Sequence, residues 1–179
     1  VGVGSLEEEF ALLGADFAGR GARFEDSLRA LRAVLGRREA SYRGTHYAFD
    51  DFIVDPVPVQ ATVPIWIGGR SARSLRRALC FADGWDPFGL DATTLQALLR
   101  RAAEWPDWRD RSRPLDVALT PERIFDVADF AQREACLQLL ADYRDMGASV
   151  VNLRFRSRSL EHYIEQLEIF ARKVAPELA

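Results

Sequence analysis

The chain is predicted to be an α/β protein in which parallel strands alternate with helices lying on one outer side. Three observations lead there. Strand-like and helix-like segments succeed one another along the 179 residues, an order that implies a parallel sheet covered by helices. Val63-Pro64-Ile65-Trp66-Ile67 is a short continuous apolar run, as expected of a strand buried on both faces. Gly68-Gly69-Arg70-Ser71 follows at once and leads into a helical pattern, which marks a tight strand-to-helix turn.

The elements follow in order. Val1-Gly2-Val3-Gly4 reads as the end of a buried strand, and Glu7, Glu8 and Glu9 place negative charge where a helix N-terminus favours it. Gly14 to Gly21 is a loop. From Phe24, the positions Phe24, Leu28, Leu31 and Leu35 keep helical spacing until Gly36 stops them. Tyr42 to Val54 is rich in β-formers around an Arg43-Gly44-Thr45-His46 turn, which predicts a hairpin within an excursion near 41–60. Two prolines in Asp55-Pro56-Val57-Pro58-Val59-Gln60 leave only an extended connection.

After the 63–67 strand, a helix carries Leu75, Ala78, Leu79 and Ala82. Asp83 to Phe88 is a further strand with its loop. Thr94 is the expected cap of a helix on Leu95, Leu98, Leu99 and Ala102, ending before Pro106. Leu115 to Leu119 is the next strand, and Ala131 to Met146 a helix closed by Gly147. Val150 to Phe155 alternates as one strand. Ser159 caps a last helix whose Leu160, Tyr163, Ile164, Leu167, Phe170, Ala171 and Val174 form a long apolar stripe.

Composition narrows the function. The net charge is −3, whereas nucleic-acid binding needs a clustered positive excess. No run approaches the ~18 apolar residues of a membrane span, and no basic n-region opens the chain. Cys80 and Cys136 lack CxxC spacing and fall in apolar helical patterns, so both are expected as buried free thiols in a reducing, cytoplasmic compartment. His46 in the hairpin turn and His162 in the last helix are expected at the surface, and neither has metal-ligand spacing to a Cys, Asp or Glu.

A doubly wound open sheet would carry a GxGxxG turn after its first strand, and Gly2-Val3-Gly4 lacks the third glycine. A whole (β/α)8 barrel takes about 250 residues. Four strand–helix units and the tail of another strand amount to roughly half of one, so the expected architecture is about half of a (β/α)8 TIM barrel. Its inner sheet face would then be covered by further chain or by a partner.

Several phrases in order resemble the luciferase-like monooxygenase family, including its deazaflavin-dependent branch. They are Gly2 to Phe10 with Leu13-Gly14, then Arg20-Gly21-Ala22-Arg23, Tyr42-Arg43-Gly44-Thr45-His46-Tyr47, Asp55 to Gln60, Val63 to Ser71, Arg77-Ala78 and Asp83-Gly84-Trp85-Asp86-Pro87. From Leu90 onward only the strand–helix rhythm agrees. The resemblance implies the C-terminal half of a (β/α)8 TIM barrel, residues 1–179 running from the end of barrel strand 4 through helix 8, with the final strands beginning near Ile65, Asp83, Leu115 and Val150. It implies an oxidoreductase or monooxygenase using FMN or coenzyme F420, the two left undecided, and a small-molecule substrate. The N-terminal half that carries most substrate-facing residues of the family is expected to be absent, so no catalytic residue is named.

Two readings of the Gly68-Gly69-Arg70-Ser71 turn stay open: a turn that needs positive φ, or an anion site where glycines admit a ligand to the free N–H groups of a helix start. The resemblance implies the second, holding the cofactor phosphate there with Gly68, Gly69, Arg70 and Ser71. It also implies that Gly2 and Gly4 pass close to the cofactor ring. Trp85, beyond a barrel strand, either walls that pocket or is packing. A natively short, non-catalytic half-barrel that pairs as a homodimer is the competing reading.

Overall fold

The computed structural model describes residues 1–178. In chain order the elements are α1 (Glu7–Leu12), α2 (Arg20–Val34), β1 (Glu39–Arg43), β2 (Ala48–Ile53), β3 (Trp66–Gly68), α3 (Ala72–Phe81), β4 (Gly84–Asp86), α4 (Ala92–Ala102), α5 (Pro106–Arg109), β5 (Asp116–Leu119), β6 (Ile124–Phe125), α6 (Phe130–Asp145), β7 (Val150–Val151), β8 (Arg154–Phe155) and α7 (Leu160–Lys173). The chain divides into two compact units, Val1–Trp85 with Pro106–Leu115, and Asp86–Trp105 with Asp116–Ala179. The fold is α/β with parallel strand pairing, and among the described residues no sheet closes into a barrel.

In the first unit, β3 and β4 are sheet neighbours. The Ile65 carbonyl accepts the N–H groups of Asp83 (2.8 Å) and Gly84 (3.3 Å). Val1 lies along the other side of β3: its amino group donates to the Trp66 carbonyl at 2.8 Å, and its carbonyl accepts from Gly68 N–H at 2.8 Å. One residue bridging two positions that are two apart is the hydrogen-bond pattern of a parallel neighbour. Val1 thus bonds as a strand neighbour, but it is 61% exposed and residues 1–4 form no strand, which corrects the expectation of a buried strand end.

Sheet and helix are pinned by Asp83. Its carboxylate accepts from Ile65 N–H at 2.8 Å and pairs with the Arg32 guanidinium of α2. Burial pushes this carboxyl up, but the Arg32 hydrogen bond and the Ile65 N–H outweigh burial and hold it below the usual carboxylate range. α3 buries Leu75, Ala78 and Leu79 against the sheet. Cys80 points the other way and is exposed, which corrects the expectation of a buried thiol. On a helix, residue 80 lies about 100° from residue 79, off the stripe that Leu75, Ala78 and Leu79 define.

The hairpin is present and starts earlier than its β-formers suggested, at Glu39, with Tyr42 opposite Phe49 and Arg43 opposite Ala48. It is tied to α2 by Asp26, an acid at 5% exposure. The Asp26 carboxylate accepts from Tyr42 Oη (2.5 Å), His46 N–H (2.6 Å) and Tyr47 N–H (3.1 Å). The Tyr42 hydroxyl, then the His46 N–H, lower its pKa, and the same bond raises that of Tyr42. A Cβ on Gly44 would collide with this carboxylate and with Tyr42 Oη. The turn needs glycine for that reason.

In the second unit, β5 pairs parallel to β7 through Ala118↔Val150 and Leu119↔Val151, and β6 pairs parallel to β8 through Ile124↔Arg154 and Phe125↔Phe155. The single strand expected over 150–155 is thus two short strands in different sheets. Asn152 N–H still reaches Leu119 O at 2.9 Å, whereas Arg156 N–H turns to Phe125 O at 2.7 Å. Phe125, Val127, Cys136, Leu140 and Val174 form the buried cluster. Cys136 is buried as expected, and burial pushes its thiol up to about 11.

Caps set the helix starts. Asp91, not Thr94, caps α4: its carboxylate accepts from Thr94 N–H (2.9 Å) and Thr94 Oγ1 (2.6 Å). Asp129 caps α6 and Ser159 caps α7, the latter as expected. The apolar stripe of α7 meets the core only at its C-terminal end, where Phe170 packs against the buried cluster and Val174 belongs to it. Leu160, Tyr163, Ile164 and Leu167 are 69%, 37%, 47% and 42% exposed, while Gln166 is fully buried. Gln166 Oε1 accepts from Val127 N–H (2.7 Å) and Nε2 donates to Asp126 Oδ1 (3.0 Å), so its amide is satisfied at both ends. His162 is half-buried rather than at the surface, with Nδ1 enclosed and without a hydrogen-bond partner.

Candidate functional site

The turn between β3 and α3 is built by a small polar network. Ser71 caps α3 with its hydroxyl accepting from Ser74 N–H, while Ser71 N–H donates to Ser74 Oγ, both at 3.2 Å. Ser74 Oγ donates to the Ser71 carbonyl at 2.8 Å and accepts from the Trp85 indole N–H at 3.2 Å. Trp85 is at 0% exposure. It reaches the turn from beneath, as a buried ring whose one polar atom is satisfied.

Gly69 has φ +129°, and a Cβ there would lie 2.7 Å from Ser74 Cβ. Backbone conformation and packing both require glycine at this position. Gly68 donates its N–H to Val1, which brings the Val1-Gly2-Val3-Gly4 segment alongside the turn. The two glycine groups that the sequence singled out are therefore neighbours. A Cβ on Gly2 would meet nothing within 4 Å, so open space lies beside it. Gly4 has φ +81° and a Cβ there would strike the Phe10 ring; its carbonyl accepts from Arg20 Nε at 3.3 Å.

The start of α3 leaves donors facing outward. The capping box uses the N–H groups of Ser71 and Ser74. Ala72 and Arg73, the first two helical residues, have no intrahelical carbonyl behind them. Arg70, Ser71 and Arg73 are exposed around them. A positive helix end with two outward N–H groups and two guanidinium side chains can bind a dianionic phosphate.

Residues 1–173 match the family of luciferase-like monooxygenases. The chain belongs to that family. Uncharacterized proteins of Mycobacterium tuberculosis and Mycobacterium bovis are similar to this family member, at 27% identity over 172 residues, 93% of this chain and 59% of theirs. The chain thus spans under two thirds of the length of these curated relatives.

Among solved structures, the fold resembles the monooxygenase RslO1 from Streptomyces bottropensis, with a TM-score of 0.76 at 16% identity over 99% of this chain and 68% of that one. It also resembles an F420-dependent secondary alcohol dehydrogenase in complex with an F420-acetone adduct (TM-score 0.67, 14% identity, 100% and 68% of the two chains). A coenzyme F420 dependent tetrahydromethanopterin reductase from Methanopyrus kandleri is similar at a TM-score of 0.66 and 12% identity, over 99% of this chain and 73% of that chain.

Sequence reasoning missed Ser74 and Asp26, the two residues that hold the turn and the hairpin. Ser74 had a local signal, since it stands three residues after the Ser71 cap, where a capping box places its reciprocal partner. Asp26 had none: an acid inside an arginine-rich helix reads as solvated charge. Of the histidines, His46 contributes only its main chain to the Asp26 site. Among the described residues no cluster of His, Cys, Asp or Glu is placed to hold a metal ion, and no helix is long and apolar enough to cross a membrane.

Proposed function

We propose that this family member is the C-terminal half of a (β/α)8-barrel oxidoreductase or monooxygenase, residues 1–179 forming one partial domain, and that it contributes the phosphate-binding turn for FMN or coenzyme F420. The observation that carries the reading is the β3–α3 turn: Gly69 takes φ +129°, and the Ala72 and Arg73 N–H groups of the first turn of α3 have no intrahelical acceptor. These donors fit a phosphate. Arg70 and Arg73 supply the charge, and Ser71, whose oxygen already caps α3, keeps its own O–H free to donate.

Gly2 fits the role of a close backbone approach, because the space beside its Cα is open. Gly4 is held by its own backbone and by Phe10, so its part is to shape the segment. Trp85 supports Ser74 from below and so keeps the turn in register. When bound, the cofactor supplies the redox chemistry, hydride transfer or oxygen activation, while the protein positions it. The F420-dependent enzymes among the fold neighbours support a deazaflavin, and the family as a whole admits FMN.

The test is a fluorescence titration of the intact native protein with FMN and with coenzyme F420. Saturable binding of one of them, weakened tenfold or more by Arg70→Glu, is expected. Absence of affinity for either removes the proposal.

A second reading is favoured by the outward stripe of α7. Leu160, Tyr163, Ile164 and Leu167 are exposed in a row at helical spacing, and such patches mark association surfaces. A homodimer formed over this face would make the chain a self-associating scaffold. Light scattering decides: a clean monomer at high concentration eliminates it.

A further inference from the structure

A cavity of about 80 Å³ lies in the unit formed by Asp86–Trp105 and Asp116–Ala179, where β4 and β5 end. Ligands of α/β proteins collect beyond the carboxyl ends of strands, so its place in the fold is that of a binding site. Leu95 and Leu119, both buried, form its apolar floor. Phe88, 56% exposed, stands at its rim on the loop that follows β4. Thr120, Glu122 and Tyr143 complete the lining.

The polar groups have unused capacity. The Tyr143 hydroxyl has no hydrogen-bond partner among the described residues, and burial raises its pKa. The Glu122 carboxylate likewise has no cation or donor among the described residues. The nearby Arg154 guanidinium is committed to main-chain carbonyls, those of Pro121 (3.2 Å) and Glu122 (2.5 Å). Thr120 Oγ1 accepts from Asn152 Nδ2 at 3.3 Å and keeps its second lone pair for a donor on a ligand.

We propose that this cavity binds an ammonium group carried on a short aliphatic chain. The volume matches two or three waters at ~30 Å³ each, hence a ligand end of only a few heavy atoms. An unpaired carboxylate at the mouth selects a cation over a neutral alcohol or an anion. The three ammonium donors match three acceptors: the Glu122 carboxylate, Tyr143 Oη and Thr120 Oγ1. Leu95, Leu119 and Phe88 take the aliphatic stem. The site is independent of the glycine turn, and its test needs no cofactor.

The experiment is an NMR titration of the full chain with n-propylammonium, n-propanol and propionate as probes. Propylammonium is expected to shift the amides of Phe88, Gly89, Leu90, Leu119, Thr120 and Glu122 in a saturable, millimolar isotherm. Propanol should bind at least tenfold more weakly, and propionate not at all. Glu122→Gln, at an exposed position that leaves the fold intact, should weaken propylammonium tenfold or more, and Tyr143→Phe several-fold. Equal affinity for propanol and propylammonium would overturn the proposal, as would an unchanged isotherm in Glu122→Gln or the absence of shifts at these residues.

Discussion

Helices α3 and α7 begin alike and end differently. Each is capped by a serine whose hydroxyl accepts from the N–H three residues on, Ser71 from Ser74 and Ser159 from His162. Each carries an apolar stripe at helical spacing. Yet α3 buries Leu75 and Ala78 completely, whereas α7 turns Leu160, Ile164 and Leu167 outward and buries an amide, Gln166, instead. A stripe specifies that one side of a helix seeks apolar company. It does not specify whether the chain at hand provides it.

The comparison is broken most directly by truncating one leucine or isoleucine in each helix. Leu75→Ala should cost about 3 to 5 kcal/mol, as large-to-small changes at filled core sites do, and Ile164→Ala less than about 0.5 kcal/mol, as an exposed position implies. Denaturant unfolding of both variants measures this. Equal losses would mean that α7 is covered in solution, by a second copy or otherwise, and dilution would then separate the two variants.

Gln166→Leu tests the inverted face of α7. It leaves Val127 N–H buried and without an acceptor, at a cost of about 1 to 3 kcal/mol. A neutral or stabilising outcome would show that the amide is not the anchor of that helix. Gly69→Ala should cost a similar ~1 to 3 kcal/mol, since φ +129° is poorly open to a residue with a Cβ. If the turn also holds the cofactor phosphate, this variant should lose cofactor affinity beyond what its stability loss explains.

Acid unfolding sharpens the contrast between local and tertiary anchoring. The Asp26 pKa lies below its ordinary value of 3.8. Its stabilisation is therefore complete above the unfolded-state pKa and is lost as pH falls through the lower folded-state value. Asp26→Asn should remove that part of the acid limb and lower stability at neutral pH, with hairpin amides exchanging faster. An acid limb identical to that of the parent would assign acid sensitivity elsewhere, Asp83 first.

The smallest effect concerns the caps. Ser71→Ala and Ser159→Ala should each cost about 1 kcal/mol, with Ser71→Ala the larger because its partner Ser74 also carries Trp85.

Much of this was legible beforehand. The β3–glycine–α3 unit follows from a continuous apolar run beside two glycines, because backbone sterics act locally. The resemblance to luciferase-like monooxygenases rested on phrases in the first half of the chain, and the family match extends to residue 173. The split of Val150 to Phe155 was not legible: the alternation is that of one strand, and the break at Asn152 arises because Val151 pairs with Leu119 while Phe155 pairs with Phe125. Asp91 displaced Thr94 as a cap because an acid three residues earlier binds both the N–H and the hydroxyl of Thr94.

The amino-acid order by itself determined the alternation of helices and strands, the Ser159 cap and the glycine turn after β3, since those choices depend on neighbours within a few residues. Only the tertiary structure decided which face of α7 lies open, that Asp26 clamps the hairpin, that Cys80 is exposed, and that the Val1–Gly4 segment meets the Gly68 turn. Those outcomes depend on contacts between residues far apart in the chain, and a periodic pattern carries no information about which distant surface arrives to meet it.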